Sequence, residues 1–220
     1  MSRTSISPTP SSRRSRAALS AVRRAEPAAP AAQRAVFFDR DGTLNEEIGH
    51  MSDLRHFRVY PFAAEAVRLV NQAGLLAIVL TNQAGVGKGL FQESLVEEAH
   101  RRLTRRIQAG GGRLDAIFYC PHHPDASVEE YRVTCLCRKP APGMAATAAA
   151  QFGIDLAKSF VVGDRFVDVE LARQVGARSV LVLTGFGRNE WEAQRVTGAG
   201  LPDYVAKDAR DAVRWILRHL

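Results

Sequence analysis

Two aspartates two residues apart, Asp39 and Asp41, stand in the segment DRDGT directly after an apolar run. Two buried carboxylates this close repel each other, so one of them takes up a proton unless a cation lies nearby. Magnesium favours a few oxygen ligands together with the phosphate of a substrate. The pair therefore indicates a magnesium-dependent phosphate site, although Asp-x-Asp is also common in surface turns.

A hydroxyl and an amide, Thr81 and Asn82, follow the next apolar run, LLAIVL. Both side chains can donate hydrogen bonds to phosphate oxygens, and both also occur where helices are capped. The nearby GVGKG at residues 85–89 superficially resembles a phosphate-binding loop. That loop needs four residues between its glycines and a hydroxyl residue after its lysine, so we exclude this interpretation.

Charged residues recur at two later points in the chain. Arg138 and Lys139 could hold a phosphoryl group, the arginine through a two-pronged contact and the lysine as a mobile point charge. They could equally be solvated surface charges. Asp164 ends the run FVVGD, with Asp168 one helical turn beyond it. A carboxylate at this place could complete the cation site or cap the following helix.

The segment YCPHHPDASVEEYRVTCLCRKP, residues 119–140, holds all three cysteines of the chain. Cys120-x-His122 and Cys135-x-Cys137 would offer zinc three thiolates and one imidazole. Four protein ligands leave no open position for water, so we expect the metal to hold the loop rather than to take part in catalysis. The alternative is three buried cysteines without a metal.

The formal net charge of +7 is concentrated at residues 1–34, which carry seven arginines and one glutamate. This stretch is rich in serine, alanine and proline and has no apolar periodicity, so we expect a disordered tail. The alternatives are a polyanion-binding arm or a twin-arginine export signal. No apolar run reaches the roughly 18 residues of a membrane span. The odd, clustered cysteines favour a reducing compartment, the cytoplasm.

The elements that must position these residues alternate along the chain. Apolar runs predict strands at 35–39, 75–80, 114–120, 159–164 and 178–185, and helical patterns occur at 61–74, 91–112, 143–153, 166–176 and 209–220. In the second helix, Leu95, Ala99, Leu103 and Ile107 recur at helical spacing and predict its buried face. Such alternation is typical of an α/β domain with a mostly parallel, Rossmann-like sheet between two helical layers. Ligands of such domains bind at the carboxyl ends of the strands.

The order of these motifs resembles the four motifs of the haloacid dehalogenase superfamily of phosphohydrolases, over residues 35 to about 190. The resemblance implies a catalytic domain at 35–220 without a large cap domain. It implies Asp39 as nucleophile and Asp41 as general acid and base. Mg²⁺ would be held by Asp39, the Asp41 backbone carbonyl and Asp164. Thr81 and Lys139 would complete the phosphoryl site.

Within the superfamily, DRDGTLN, TNQAGVGKG and CLCRKPAPGM are similar to the heptose 1,7-bisphosphate phosphatase branch. The histidinol-phosphate phosphatases share the zinc loop and form the alternative, with other small sugar phosphate phosphatases. Fourteen residues between Cys120 and Cys135, and the RKPAPGM ending, favour the heptose branch. This resemblance implies a monomeric enzyme of carbohydrate metabolism whose substrate contacts are Arg40, Glu47, Ile48, Gly49, His50, Asn82, Gln83, Ala84, Arg138 and Arg165.

Two other classes of function stay open from the sequence alone. A nucleic-acid-binding zinc module would use the basic tail and the cysteine loop, but it leaves the acidic residues at the strand ends unexplained. We therefore expect a small phosphorylated sugar, and no nucleic acid or membrane, as the partner. A scaffold that has lost catalysis is disfavoured because Asp39, Asp41, Lys139 and Asp164 are all present.

Overall fold

A computed structural model describes residues 32–49 and 53–220. Both ranges belong to one compact unit, Ala32–Leu220. The strands are β1 Ala35–Phe38, β2 Leu76–Asn82, β3 Ala116–Cys120, β4 Phe160–Gly163, β5 Arg178–Val182 and β6 Tyr204–Ala206. The α-helices are α1 Ala63–Gln72, α2 Ala84–Gly87, α3 Glu93–Ala109, α4 Gly143–Phe152, α5 Phe166–Val175, α6 Gly187–Gln194 and α7 Ala209–Leu217. Short 3₁₀ helices occupy Leu54–His56, Glu129–Tyr131 and Leu156–Lys158.

The six strands form one sheet in the order β3-β2-β1-β4-β5-β6, and every neighbouring pair is parallel. Strands β2 and β3 therefore lie on one side of β1, and strands β4, β5 and β6 lie on the other side. Because the chain changes sides after β3, a crevice opens beyond the carboxyl ends of β1 and β4, where open α/β sheets bind their ligands. The predicted α/β class with a mostly parallel sheet is confirmed.

The core consists of two apolar clusters, one on each face of the sheet. Strand β1 is buried along its whole length because it lies between them. Val36 and Phe38 pack into a cluster with α1, α3 and α7. Phe37 points to the opposite face, where α4 and α5 cover the sheet. This gives the predicted three layers. Packing on both faces therefore fixes β1 rigidly, and this holds Asp39, the next residue, in place.

The buried face of α3 differs by one residue from the prediction. Val96, Ala99, Leu103 and Ile107 are fully buried, whereas Leu95 is only partly covered. The strand β6 and the helix α6 were not predicted. Within α6 only Gly187 is buried, so its sequence carries no apolar stripe to indicate a helix.

Residues 1–31 of the expected tail, and His50 of the expected substrate loop, lie outside the described residues. Gln33, at the end of that tail segment, forms an isolated parallel bridge with Ile154, and its N–H donates to the Gly153 carbonyl over 2.9 Å. Among the described residues, no helix combines the length and the apolar character that crossing a membrane requires.

Candidate active site

The strand ends converge on a cavity of about 490 Å³. Its walls include Asp39 and Asp41 after β1, Thr81 at the end of β2, and Lys139 beyond the cysteine loop. A cavity of this size is typical of small-ligand sites. Residues that are far apart in the chain meet here because parallel strands all end at the same edge of the sheet.

Three carboxylates lie together beside this cavity. Oxygens of Asp39, Asp164 and Asp168 are all within 4.8 Å of one another. Asp164 Oδ2 accepts the Phe186 N–H over 2.8 Å, while the buried Oδ1 has no hydrogen-bond partner among the described residues. Burial, with the charges of Asp39 and Asp168, raises the pKa of Asp164 to about 9. A divalent cation relieves such repulsion and would give the unpartnered oxygen a ligand bond, so these residues fit Mg²⁺.

The Lys139 ammonium lies at the centre of the buried polar network. Its Nζ is 2.9 Å from Asp39 Oδ1 and 2.6 Å from Asp168 Oδ1, and it donates to the Leu80 carbonyl over 2.8 Å. Burial disfavours the charged form, but the Asp168 and Asp39 carboxylates outweigh burial and raise the pKa of Lys139. Lys139 is therefore a fixed cation beside the Asp39 carboxylate.

Asp168 has a part in the site that the predicted site residues did not include. It anchors the Lys139 ammonium, and its Oδ2 accepts the Arg165 N–H over 3.3 Å. The sequence signal was its position one helical turn after Asp164. That spacing is equally typical of a helix cap, and Asp168 has both roles: one oxygen caps α5 through the Arg165 N–H, and the other binds Lys139.

The Asp41 carboxylate is held by three side chains. The Arg40 guanidinium makes a two-pronged contact of 3.1 and 2.8 Å, and amide groups of Asn45 and Gln83 donate over 2.8 and 2.7 Å. Burial alone would raise the pKa of Asp41, but Arg40 and these hydrogen bonds hold it below its usual value. Arg40 was predicted to contact substrate; its side chain is buried and its charge is paired with Asp41.

The two amides after β2 also bind protein groups. Gln83 Nε2 donates to Thr81 Oγ1 over 2.9 Å as well as to Asp41, so it links these two side chains. The Asn82 amide donates to the Lys139 carbonyl over 3.1 Å and accepts the Lys139 N–H over 3.0 Å. Both were predicted as substrate contacts and both line the cavity, where their amides also bind Asp41, Thr81 and the Lys139 backbone.

The turn after β1 depends on Gly42. Its φ is +77°, and a Cβ there would lie 2.0 Å from Asp164 Oδ2. Its carbonyl accepts the Thr184 hydroxyl over 2.6 Å. Glycine is therefore required both for the left-handed backbone and for the close approach of the Asp164 carboxylate.

The other predicted substrate residues divide into three groups. Glu47, Gly49, Ala84, Arg138 and Arg165 line the cavity. Ile48 is 40% exposed and lies outside the lining, and His50 is not described. Burial and the Asp41 charge raise the pKa of Glu47. The lining also includes residues that were not among the predicted site residues, namely Gly85, Lys88, Phe91, Val167 and Phe186. Gly85 and Lys88 belong to the GVGKG segment that was excluded as a phosphate-binding loop.

The four predicted zinc ligands meet at the end of β3. The three sulfur atoms of Cys120, Cys135 and Cys137 are 3.1 to 3.5 Å apart, and His122 Nδ1 is 3.3 Å from the Cys137 sulfur. Three thiolates and one imidazole form a donor set that fits tetrahedral zinc. The last cysteine is only two residues before Lys139, so whatever orders this cluster also orders the lysine.

A second contact ties the cysteine loop to the sheet. The Tyr131 hydroxyl donates to Glu93 Oε1 over 2.6 Å, and the Tyr119 hydroxyl donates to the other oxygen of the same carboxylate. Glu93 begins α3 and Tyr119 lies in β3, so one side chain joins three elements. These hydrogen bonds lower the pKa of Glu93 and favour its charged form.

The site combines the Asp39 carboxylate with the buried Lys139 ammonium and the acidic cluster in the crevice beyond β1 and β4. This combination is suited to the hydrolysis of a phosphate ester. The comparisons with known proteins agree. The HAD-hydrolase-like family model matches residues 136–212.

Two curated relatives match most of the chain. A D-glycero-D-manno-heptose-1,7-bisphosphate 7-phosphatase of Thermosynechococcus vestitus is 39% identical over 190 residues, covering 84% of this chain and 96% of the relative. A D-glycero-beta-D-manno-heptose-1,7-bisphosphate 7-phosphatase of Escherichia coli K12 is 40% identical over 188 residues, covering 84% and 89%.

The crystal structure of D,D-heptose 1,7-bisphosphate phosphatase from B. bronchiseptica, complexed with magnesium and phosphate, superposes with a TM-score of 0.73 at 31% identity. The match covers 86% of this chain and all of that one. The chain belongs to the family of the heptose-1,7-bisphosphate 7-phosphatases, within the haloacid dehalogenase-like hydrolases, and it is a phosphatase.

Proposed function

We propose that this enzyme removes the C7 phosphate of D-glycero-D-manno-heptose 1,7-bisphosphate through a phosphorylated Asp39. The observation that carries the proposal is the position of the Asp39 carboxylate, 2.9 Å from the buried Lys139 ammonium at the floor of the cavity. Relatives about 40% identical over most of the chain are named for this reaction. A nucleophile held beside a fixed cation can approach an anionic phosphoryl group.

In the first step an Asp39 oxygen attacks phosphorus, and the bond from phosphorus to the sugar C7 oxygen breaks. Asp41 gives its proton to the departing oxygen. In the second step water attacks the phosphorylated Asp39, Asp41 takes the proton of that water, and inorganic phosphate leaves. Arg40 and the amide donors hold the pKa of Asp41 below its usual value, which favours the ionised form that the second step requires. The first step requires the protonated form, so Asp41 has to take up its proton when the anionic substrate binds, because a nearby negative charge raises the pKa of a carboxylate.

The remaining polar groups act by position. The Thr81 hydroxyl and the Lys139 ammonium line the phosphoryl position, and Asn82, Gln83 and Asp168 orient them. Asp39, Asp164 and the Asp41 backbone carbonyl would hold Mg²⁺. The cation, when bound, would neutralise charge on the phosphoryl oxygens.

The zinc site has a structural role in this proposal. Cys120, His122, Cys135 and Cys137 would use all four positions of the metal, which leaves none for substrate. The loop thus ordered supplies Arg138 and Lys139 to the cavity. Cys120, Cys135 and Cys137 form no disulfide, which supports a reducing compartment, and we propose that the enzyme is cytoplasmic. We also propose that it is a monomer.

The proposal is tested by comparing kcat/KM with Mg²⁺ for both anomers of the heptose bisphosphate, for histidinol phosphate and for fructose 1,6-bisphosphate. We expect one heptose anomer to be the best substrate. Asp39→Asn should abolish turnover because a neutral amide is a poor nucleophile. Rapid quenching of the wild type should trap a hydroxylamine-sensitive phosphoryl label on Asp39. Direct attack by water, with no such label, contradicts the mechanism.

A further inference from the structure

Five cations line the active-site cavity, and they differ in their acidic partners. Arg40 pairs with Asp41, Lys139 with Asp39 and Asp168, and Arg165 with Glu190 at 3.2 Å. Within residues 32–49 and 53–220, neither Lys88 nor Arg138 has a carboxylate oxygen within 4.0 Å. Two uncompensated positive charges therefore face one cavity, which favours binding of an anion there.

The backbone fixes Lys88 on the side of the cavity next to the cysteine loop. The Lys88 N–H closes α2 on the Ala84 carbonyl over 2.9 Å. The preceding Gly87 donates to the Pro121 carbonyl over 3.2 Å and accepts the Val128 N–H over 2.9 Å. A Cβ at Gly87 would lie 2.8 Å from the Pro121 oxygen, so this close contact requires glycine.

The same loop carries Arg138, directly after the last cysteine. Within the part of the chain that the structure describes, the Arg138 guanidinium makes one long hydrogen bond, of 3.4 Å, to the His122 carbonyl, which leaves most of its donors for a ligand. Both unpaired cations are thus positioned by one loop, and both are separate from the buried acidic cluster. A guanidinium provides a two-pronged contact to phosphate, and an ammonium adds a point charge.

We propose that Lys88, together with Arg138, binds the phosphate of the substrate that is not hydrolysed. The inference rests on the proposed bisphosphate substrate and adds Lys88 as a residue that determines specificity for it. Arg165 is a weaker candidate for this role because Glu190 already neutralises it.

The test compares heptose 1,7-bisphosphate with heptose 7-phosphate, which lacks the second phosphate. For Lys88→Met, the ratio of kcat/KM for the bisphosphate to that for the monophosphate should fall about tenfold or more, the usual effect of losing a charge-assisted hydrogen bond. Lys88→Arg should restore most of the ratio. Lys158→Met is the matched control, since Lys158 is exposed and precedes β4 at the opposite end of the sheet.

Calorimetry with heptose 1-phosphate gives a second measurement that does not require turnover. This ligand keeps only the phosphate that is not hydrolysed, and Lys88→Met should weaken its binding about tenfold. An unchanged substrate ratio together with unchanged heptose 1-phosphate binding overturns the role of Lys88. A wild type that binds heptose 1-phosphate through Lys88 but hydrolyses neither substrate instead overturns the proposed reaction.

Discussion

The buried pair of Lys139 and Asp168 offers a direct test of how the site is built. Their side chains are each 2% exposed, and the Nζ to Oδ1 distance is 2.6 Å. Removing one partner of a buried ion pair costs about 3–5 kcal/mol, because the other charge stays buried without that partner. After the loss of the Asp168 charge, Asp39 still lies 2.9 Å from Lys139 Nζ, which places the cost at the lower end of this range. In Asp168→Asn the amide oxygen still accepts one hydrogen bond. We therefore expect the free energy of unfolding to fall by about 3 kcal/mol.

The same substitution should also impair catalysis. Without the Asp168 charge, Asp39 is the remaining carboxylate beside the Lys139 ammonium, so the lysine moves toward the nucleophile. A displacement of about an ångström in an active site costs about 100-fold in rate, and we expect a loss of kcat on that order. Urea unfolding followed by circular dichroism measures the stability, and steady-state kinetics with Mg²⁺ measure kcat.

The matched control is Glu192→Gln, which removes the same charge from a pair with Arg195. Both side chains of that pair are 55% exposed, so water replaces the lost interaction. The reasoning is refuted if Asp168→Asn behaves like this control, with stability within about 0.5 kcal/mol of the wild type and kcat within about twofold.

Three further predictions concern metals and pH. Asp164→Asn should raise the Tm of the metal-free protein by several degrees, since it removes carboxylate repulsion, while it abolishes the stabilisation by Mg²⁺ and the activity. Burial and the Arg40 charge lower the pKa of His100 to about 3. The unfolded chain therefore binds a proton at His100 more readily than the folded protein once the pH falls below about 6.5, the pKa of an unperturbed histidine. The free energy of unfolding should fall by about 2 kcal/mol at pH 5 for this reason. His100→Phe should remove this loss, as urea unfolding at pH 7.5 and pH 5 will measure. Removal of zinc should speed amide hydrogen exchange across residues 120–140 and lower activity, because Lys139 follows the last ligand by two residues.

Each of these predictions has an outcome that contradicts it. A Tm of Asp164→Asn that still rises with Mg²⁺ shows that the cation binds elsewhere. An unchanged slope of stability against pH in His100→Phe assigns the acid sensitivity to other groups. Full activity in protein that metal analysis shows to lack zinc excludes a positioning role for the cysteine cluster.

Much of the fold could be predicted because its central strands are short apolar runs and its helices carry apolar stripes. The strand pattern is clear in the sequence because the central strands β1, β2, β4 and β5 are buried on both faces. The helix pattern is clear because each stripe packs against the sheet. The helix α6 and the strand β6 were missed because they lie near the edge of the sheet, where little burial constrains the residue types. In α3 the pattern gave the helix but put Leu95 on the buried face in place of Val96.

The residue types alone predicted the chemical groups of the site. These are the carboxylates of Asp39, Asp41 and Asp164, the cation of Lys139, and three thiolates with one imidazole that could bind a metal. The sequence could predict that these groups meet because each of them comes directly after a strand or lies in one short loop. Parallel strands end at a common edge of the sheet.

Only the tertiary structure decided which polar groups bind each other and which are left for a ligand. Arg40, Asn82 and Gln83 were predicted to contact the substrate. They line the cavity, and the structure adds that their side chains bind Asp41, Lys139 and Thr81. Lys88 was not among the predicted site residues, because GVGKG does not fit a phosphate-binding loop, yet it lines the cavity without an acidic partner among the described residues. The physical reason is that pairing depends on distances of about 3 Å between groups far apart in the chain, such as Asn82 and Lys139, which are 57 residues apart. Side-chain packing sets these distances, and residue type does not.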